Sequence, residues 1–294
     1  MKLYKTTIIP TSNFATPLMG DTLFGQMCWA IRFTYGNEKL EELLSSYETK
    51  PFMIVSDGFA SGYLPKPTMP SVFLGENSDE KKTNRKKVWL TLAQLESGDY
   101  SNAKSDSYIS NVSKSEGVIK NSLNYLTFTT SEDGAFAPYS EDETALSKRD
   151  IYFAIDESFS LAELQETFTL LSNMGYGKNT TIGKGFFTFS EFESVYISSN
   201  SKSFMTLCAS SLEGLVCKEL FYEPFTRFGK HGASLANKNP FKKPLLLADS
   251  GAVVSFETTQ NISYIGKAIK GHSSHKETVH QGYAIVVPIK ELLS

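Results

Sequence analysis

Apolar and polar positions along the chain divide it into short, readable elements. The opening run Leu3 to Ile9 is β-branched and apolar and reads as a strand. In "DTLFGQMCWAIRF", Leu23, Met27, Ala30 and Ile31 share one stripe at helical spacing, which predicts a helix with one core face and Asp21 as N-cap or first-turn acid. "EKLEELLSS" predicts a second, short helix, and "PFMIVSDGFASGYLPKP" a strand entering a proline-punctuated loop. Residues 70–120 form a long polar excursion around one predicted strand, "VWLTLAQL"; such length in a compact domain marks a functional or disordered segment. "NSLNYLTFTTSEDGAFAPYS" predicts a hairpin, with two apolar, Thr-rich arms around a turn at "SEDG". "DIYFAI" predicts a strand. Ser160 to Glu163 then spells the capping box S-x-x-E, and Leu161, Leu164, Phe168 and Leu171 follow at helical spacing up to Gly175, a C-cap. "GFFTFSEF" is the next predicted strand.

The order so far is β-α-(strands and insertions)-β-α-β, the ferredoxin-like plan that RNA-recognition motifs share. "ISSNSKS" is a polar linker candidate. Beyond it "FMTLCAS", "PLLLADSGAVVSFE", "ISYIGKAI" and "GYAIVVPI" read as strands, and "LEGLVCKEL" as a short helix. The expected class is α+β, with a first domain over residues 1–196 and a smaller one over 197–294.

Composition narrows the function classes. With 294 residues, 40% apolar and 21% charged, the chain is that of a folded protein with material for two cores. No run approaches the ~20 apolar residues of a membrane span, and "MKLYKTTIIPT" lacks a signal-peptide core, so no membrane partner is expected. Three cysteines, Cys28, Cys208 and Cys217, suit a reducing compartment, and the expected location is cytoplasmic. The net charge of −3 argues against a uniformly basic nucleic-acid binder, but the signs are segregated. "KKTNRKK" carries five positive charges in seven residues, and Lys218 to Lys243 carries six against two. Acids concentrate elsewhere, as in "SEDGAFAPYSEDE". "KKTNRKK" reads either as an RNA-binding arm or as a solvated run on an insertion.

The chemistry-bearing stretch is "GYGKNTTIGKGFF", Gly175 to Phe187. It is not a P-loop: counting from Gly183-Lys184, position 178 is Lys where Gly is needed, and position 185 is Gly where Ser or Thr is needed. It is not a dinucleotide fingerprint either, because neither G-x-G pair is completed and the loop runs from helix to strand. What remains is a wide loop in which Gly177 and Gly183 free the backbone, Lys178 and Lys184 supply charge, and Asn179, Thr180 and Thr181 supply donors. These are positioning contacts for a nucleic-acid backbone; the alternative is a plain helix-to-strand connection.

This loop resembles the glycine-rich signature of the RAMP superfamily of CRISPR proteins. "PLMGDTLFGQMCWAI" resembles the superfamily's first-helix entry, with Gly20 at its start. "GYLPKP" and "HQGYAIVVPI" resemble one branch, subunit four of the type III-A Csm complex. The likeness implies two ferredoxin-like (RRM-like) domains with a β-hairpin thumb and the glycine-rich loop. It implies a non-catalytic role: gripping the crRNA 5′ handle, docking the large polymerase/nuclease subunit and starting the row of RAMP backbone subunits. No cofactor is implied. "KNSLNYLTFTT" resembles the thumb region, so Lys120, Asn121, Asn124 and Thr127 are expected to contact RNA, and Tyr125 and Phe128 to stack on a base. The chain departs from relatives that cut RNA with an aspartate after the first strand, because "TSNFATPLMG" has no acid before Asp21; no slicing is expected.

Arg227, Lys230 and His231 in "RFGKHG" mark another phosphate-contacting loop. The alternative within the superfamily is a metal-independent crRNA-processing endoribonuclease with His231 or His280 as acid or base. His272-x-x-His275 has the spacing of a ligand pair, but no further ligands lie near it in sequence, and no metal is expected.

Overall fold

The computed structural model describes residues 1–76, 78–109, 113–232, 235 and 239–291. The first unit opens with β1 (Lys2–Pro10), α1 (Gly20–Tyr35), α2 (Asn37–Ser45), β2 (Met53–Val55) and β3 (Phe59–Ala60). An insertion follows: β4 (Leu64–Pro65), α3 (Lys81–Lys86), β5 (Lys87–Leu90), α4 (Leu92–Ser97) and β6 (Lys104–Ser105). "VWLTLAQL" is therefore not one strand. Thr91 caps α4 through a capping box with Gln94, a T-x-x-Q signal that splits the run into strand and helix. A long hairpin, β7 (Ser113–Lys120) and β8 (Tyr139–Leu146), comes next. Its ladder overlaps the hairpin read from sequence only at Tyr139 and Ser140; residues 121–138 form its tip. The unit closes with β9 (Arg149–Ile155), α5 (Leu161–Met174), β10 (Phe187–Phe189) and β11 (Glu193–Ser194).

The main sheet runs β10-β1-β9-β2, antiparallel throughout, with β11 added to β1 and β3 to β9. Its fourth strand thus lies beside the first, and its third between first and second. α1 turns Leu23, Phe24, Met27, Ala30 and Ile31 inward. α5 starts at the expected box, where Ser160 Oγ accepts from Glu163 N and Ser160 N donates to Glu163 Oε2. Its Phe168 sits among Phe153, Phe187, Phe189 and Phe192, with centroids 4.9–5.6 Å away. That aromatic cluster holds the helix on the sheet and fixes where the glycine loop leaves it.

The second unit comprises β12 (Asn200–Thr206), β13 (Glu219–Phe221), β14 (Pro224–Arg227), β15 (Leu245–Ala248), β16 (Val253–Asn261), β17 (Tyr264–Gly266) and β18 (Tyr283–Pro288). Its sheet is ordered β13-β16-β12-β18-β17, with β14 and β15 forming a separate ribbon. Leaving out β17 and the ribbon, the order is again fourth-first-third-second. The helices of that plan are missing, since no α-helix follows Met174 among the described residues. The expected helix over "LEGLVCKEL" is turn and coil that runs into β13: Gly214 has φ +79°, which breaks a helix, and Leu212, Leu215 and Leu220 pack on Phe204, Val254 and Val286. Alternation sends Met205, Val253, Ile285 and Val287 to the opposite face and into the core of the first unit. The second sheet is therefore covered by the first unit and by its own loops. Gln281, fully buried, stitches the two: its side chain accepts from Val55 N and donates to Val55 O, both at 2.8 Å. No helix among the described residues is long and apolar enough to cross a membrane.

Candidate functional site

The glycine loop is built by positive-φ residues. Gly175, Gly177, Gly183 and Gly185 lie between +76° and +84°, and Asn179 at +67°. At two of them geometry alone demands glycine: a Cβ on Gly185 would sit 2.0 Å from Tyr176 O, and one on Gly177 would sit 2.5 Å from Thr16. The loop is pinned to the β1–α1 connection, where Lys178 N donates to Thr16 Oγ1 (3.0 Å), Gly185 N to Asn13 O (2.9 Å) and Phe186 N to Ser12 Oγ (2.8 Å). Between these anchors Asn179 leads into a 3-10 turn, Thr180–Ile182. The amides of Asn179, Thr180 and Thr181 make no hydrogen bond among the described residues, so three successive donors stand at the turn, the arrangement of an anion nest. Lys178, Thr181 and Gly183 are exposed.

The lysines are not the open cations that the sequence suggested. Lys178 Nζ lies 2.6 Å from Glu141 Oε1, and Asn179 Nδ2 donates to Glu141 Oε2 at 2.6 Å. Lys120 Nζ, on the hairpin, meets Glu141 at 2.6 Å and Glu143 at 3.1 Å. Lys184 Nζ meets Glu143 at 2.5 Å, and that carboxylate has no exposed side-chain surface. Three ammonium groups thus share two carboxylates. Hydrogen bonds from Lys120, Lys178 and Asn179 hold the Glu141 carboxyl down at about 2, and Lys184 and then Lys120 lower that of Glu143. The fold brings Lys120, Lys178, Asn179 and Lys184 together as expected, but around Glu141 and Glu143, which sequence reasoning passed over. Their signal was present: E-x-E on a strand puts both carboxylates on one face.

The same acids join the loop to the hairpin. β8 is also tied to the β1–α1 connection by the reciprocal bonds Phe14 N to Thr144 O (2.8 Å) and Thr144 N to Phe14 O (2.7 Å). Between the hairpin base, this connection and the loop opens a cleft of about 970 Å³. Thr16, Trp89, Ser115, Tyr139, Glu141 and Lys178 contribute to its walls, with Arg149 stacked 5.7 Å over Trp89. Asp57 also lines it; burial pushes that carboxyl up to about 8 while it accepts from Gly20 N at 2.7 Å. At the hairpin tip, Asn124 pairs with Thr129 across a tight turn, and its Oδ1 accepts from Leu126 N (3.0 Å). Tyr125 and Phe128 are 85% and 77% exposed, and Asn121 and Thr127 are exposed too.

Other expected residues lie elsewhere. Gly20 is buried, because a Cβ there would meet Val55 O at 2.2 Å; its role is close packing of α1 on β2 rather than a surface contact. Arg227 reaches back to α1, where Nε lies 2.6 Å from Asp21 Oδ2 and Nη2 donates to Thr22 Oγ1, so its charge is spent inside the protein. Lys230 is exposed in the β14–β15 connection, bridged to Phe241 and beside its ring, and is not among the residues lining the cleft. His231 is buried with Nε2 2.6 Å from Ser273 Oγ. His280 is buried with Nε2 3.8 Å from Asp21. Burial lowers His231, His272 and His280 to about 4, which leaves them neutral and out of reach of an RNA chain, against the endoribonuclease alternative. His272 stacks edge-on with His280 and His275 with His231, so the H-x-x-H pair is split. Among the described residues no His, Cys, Asp and Glu group is arranged to hold a metal. Lys238, part of the basic stretch Lys218 to Lys243, lies outside the described residues.

Comparison with known proteins supplies the family. No curated protein matches the sequence. Among solved structures, a chain of a Csm3-Csm4 subcomplex in the type III-A CRISPR-Cas interference complex aligns with 99% of this chain and 100% of its own, at TM-score 0.65 and 16% identity. A chain of a Csm1-Csm4 cassette in complex with cA4 aligns over 100% of both, at TM-score 0.62 and 16% identity. One from the same cassette with AMPPNP does so at 0.62 and 17%. At such identities the likeness establishes a shared fold. The family model described as RAMP superfamily matches residues 9–188, well over half of the chain, and so the protein belongs to the RAMP superfamily.

Proposed function

We propose that this chain is a non-catalytic, Csm4-type subunit of a type III-A CRISPR effector, holding the 5′ handle of the crRNA and docking the large subunit and a neighbouring RAMP subunit. Csm4 is the component common to the structures it resembles, which pair it with Csm1 or with Csm3. The strand order of both sheets fits two ferredoxin-like units, the second stripped of its helices, and β7–β8 fits the thumb. The observation that carries the reading is the cleft where glycine loop and hairpin base meet. The handle runs through it: phosphates lie on the amides of Asn179 to Thr181 and on exposed Lys178, and the tip offers Tyr125 and Phe128 for stacking. Lys120 and Lys184 frame the site through the two glutamates. The absence of any acid from the β1–α1 loop supports the lack of slicing; the next acid, Asp21, lies in the first turn of α1 with its side chain buried and paired with Arg227.

The test is binding of crRNA by the purified chain with Lys178→Gln and, separately, Tyr125→Ala. Losing one phosphate contact flattens the salt slope by roughly 0.7, and losing one stacked base costs about 1–3 kcal/mol. Wild-type affinity and slope in both variants would refute the cleft as the handle site. Metal-free cleavage of repeat RNA by the purified protein would refute the non-catalytic role.

A further inference from the structure

One strongly basic surface is left unused by the cleft. "KKTNRKK" folds as α3 running into β5; Asn84 is buried, and its carbonyl accepts from Lys66 Nζ at 3.0 Å. The bulged pairing of β5 with β6 then shapes a pocket of about 240 Å³ lined by Thr83, Lys86, Lys87, Lys104, Ser105 and Tyr108. Lys104 Nζ stands 4.4 Å over the ring of Tyr108, which is 64% exposed. Lys87 Nζ donates one proton to Ser101 O at 3.0 Å and keeps two for a ligand. Among the described residues no carboxylate lies within 4.0 Å of Lys86, Lys87 or Lys104. At the glycine loop three lysines share two glutamates; here, among the described residues, no carboxylate pairs with the three lysines, and Asp106, close by on the insertion, is engaged with Trp89 Nε1 at 2.5 Å.

The pocket also adjoins the cleft. Lys87 and Trp89 are two positions apart on β5, with the bulge between them, roughly 7 Å from each other. Lys87 lines the pocket and Trp89 lines the cleft, and Lys104 pairs opposite Trp89. Unopposed cations beside an exposed aromatic ring are what a single strand needs, charge for its backbone and a flat face for a base.

We infer that the α3–β5–β6 insertion is a second single-stranded RNA site that prolongs the cleft, with phosphates on Lys86, Lys87 and Lys104 and a base on Tyr108. The inference rests on the chain being an RNA-binding subunit. It is tested on the full chain with an oligouridylate RNA long enough to span cleft and pocket, comparing wild type, Lys86→Gln/Lys104→Gln, Tyr108→Ala and Lys178→Gln. Two lost phosphate contacts lower the salt slope by about 1.4, so between roughly 50 and 200 mM salt the wild type loses about sevenfold more affinity than the double variant. Tyr108 is also expected to crosslink to 4-thiouridine RNA, a readout that holds even where a variant folds poorly. Unchanged slope and no crosslink overturn the inference while leaving the cleft reading intact if Lys178→Gln still weakens binding. An effect of the pocket variants without one from Lys178→Gln sustains the pocket as an RNA site and refutes Lys178 as a phosphate contact. If the pocket variants keep RNA affinity and instead lose a copurifying protein subunit, the pocket is a protein-docking surface and the inference falls.

Discussion

The lysine–glutamate network should be coupled, and Glu143→Gln is the perturbation that shows it. Glu143 is buried, and its partners are two ammonium groups, Lys184 at 2.5 Å and Lys120 at 3.1 Å. Glutamine keeps the shape and one acceptor but removes the charge. Lys120 retains Glu141, whereas Lys184 is left alone. A hydrogen bond to a charged group is worth about 1.5–3 kcal/mol, and stranding a fully buried charge costs about 3–5. Lys184 is 25% exposed and can recover some water, so the expected loss is about 2–3 kcal/mol. At roughly 2 °C per kcal/mol for a chain of this size, that is a fall of about 4–6 °C in Tm. The decisive assay is a double-mutant cycle by urea unfolding with Glu143→Gln, Lys184→Gln and both. Coupling of at least ~1.5 kcal/mol is expected. A value below ~0.5 kcal/mol, the range of solvent-exposed pairs, would refute the claim that this pair locks the glycine loop to the hairpin.

Other consequences are as specific. Burial raises the Asp57 carboxyl to about 8, above its value in the unfolded chain, so stability present below about pH 4 is lost as pH climbs through 8; Asp57→Asn should flatten the decline of Tm between pH 5 and 8, and an unaltered profile would contradict its burial. His231, His272 and His280 are depressed to about 4, so stability present above pH 6.5 should drain away as pH falls toward 4; urea midpoints measured across that window should drop less steeply in His272→Phe than in wild type. Gly185→Ala forces a Cβ against Tyr176 O from a φ of +76°, and at least ~2 kcal/mol of stability should be lost, with hydrogen-exchange protection falling first at the Tyr176 amide, which donates to Gly185 O.

Local signals were enough for much of the first unit. The stripe of α1, the capping box of α5, the Gly175 cap and the flanking strands are written within a few residues of where they act, because a helix start or a positive-φ turn needs only its own neighbours. The glycine loop was legible for the same reason. The ladder of β7 and β8 was not, since its polar strands carry no apolar alternation, and T-x-x-Q inside "VWLTLAQL" was masked by an apolar run that suits strand and helix alike. The missing helices of the second unit were also beyond local reading. The sheet finds its cover on the first unit, and no sequence window contains that contact.

What the amino-acid order determined alone was the kind of groups available: glycines for the turn, lysines and amides for an anion, aromatics for a base. Which of those groups are free was decided by tertiary structure. Glu141 and Glu143 reach Lys178 and Lys184 across about forty residues of chain, and Arg227 reaches Asp21 across some two hundred, so charges that look open in sequence are paired in space. The lysines of "KKTNRKK" look like a solvated run, yet Lys86 and Lys87 join Lys104 around one pocket, and among the described residues no carboxylate pairs with them. Coulomb energy depends on separation in three dimensions and on local burial, and neither quantity is encoded by sequence spacing.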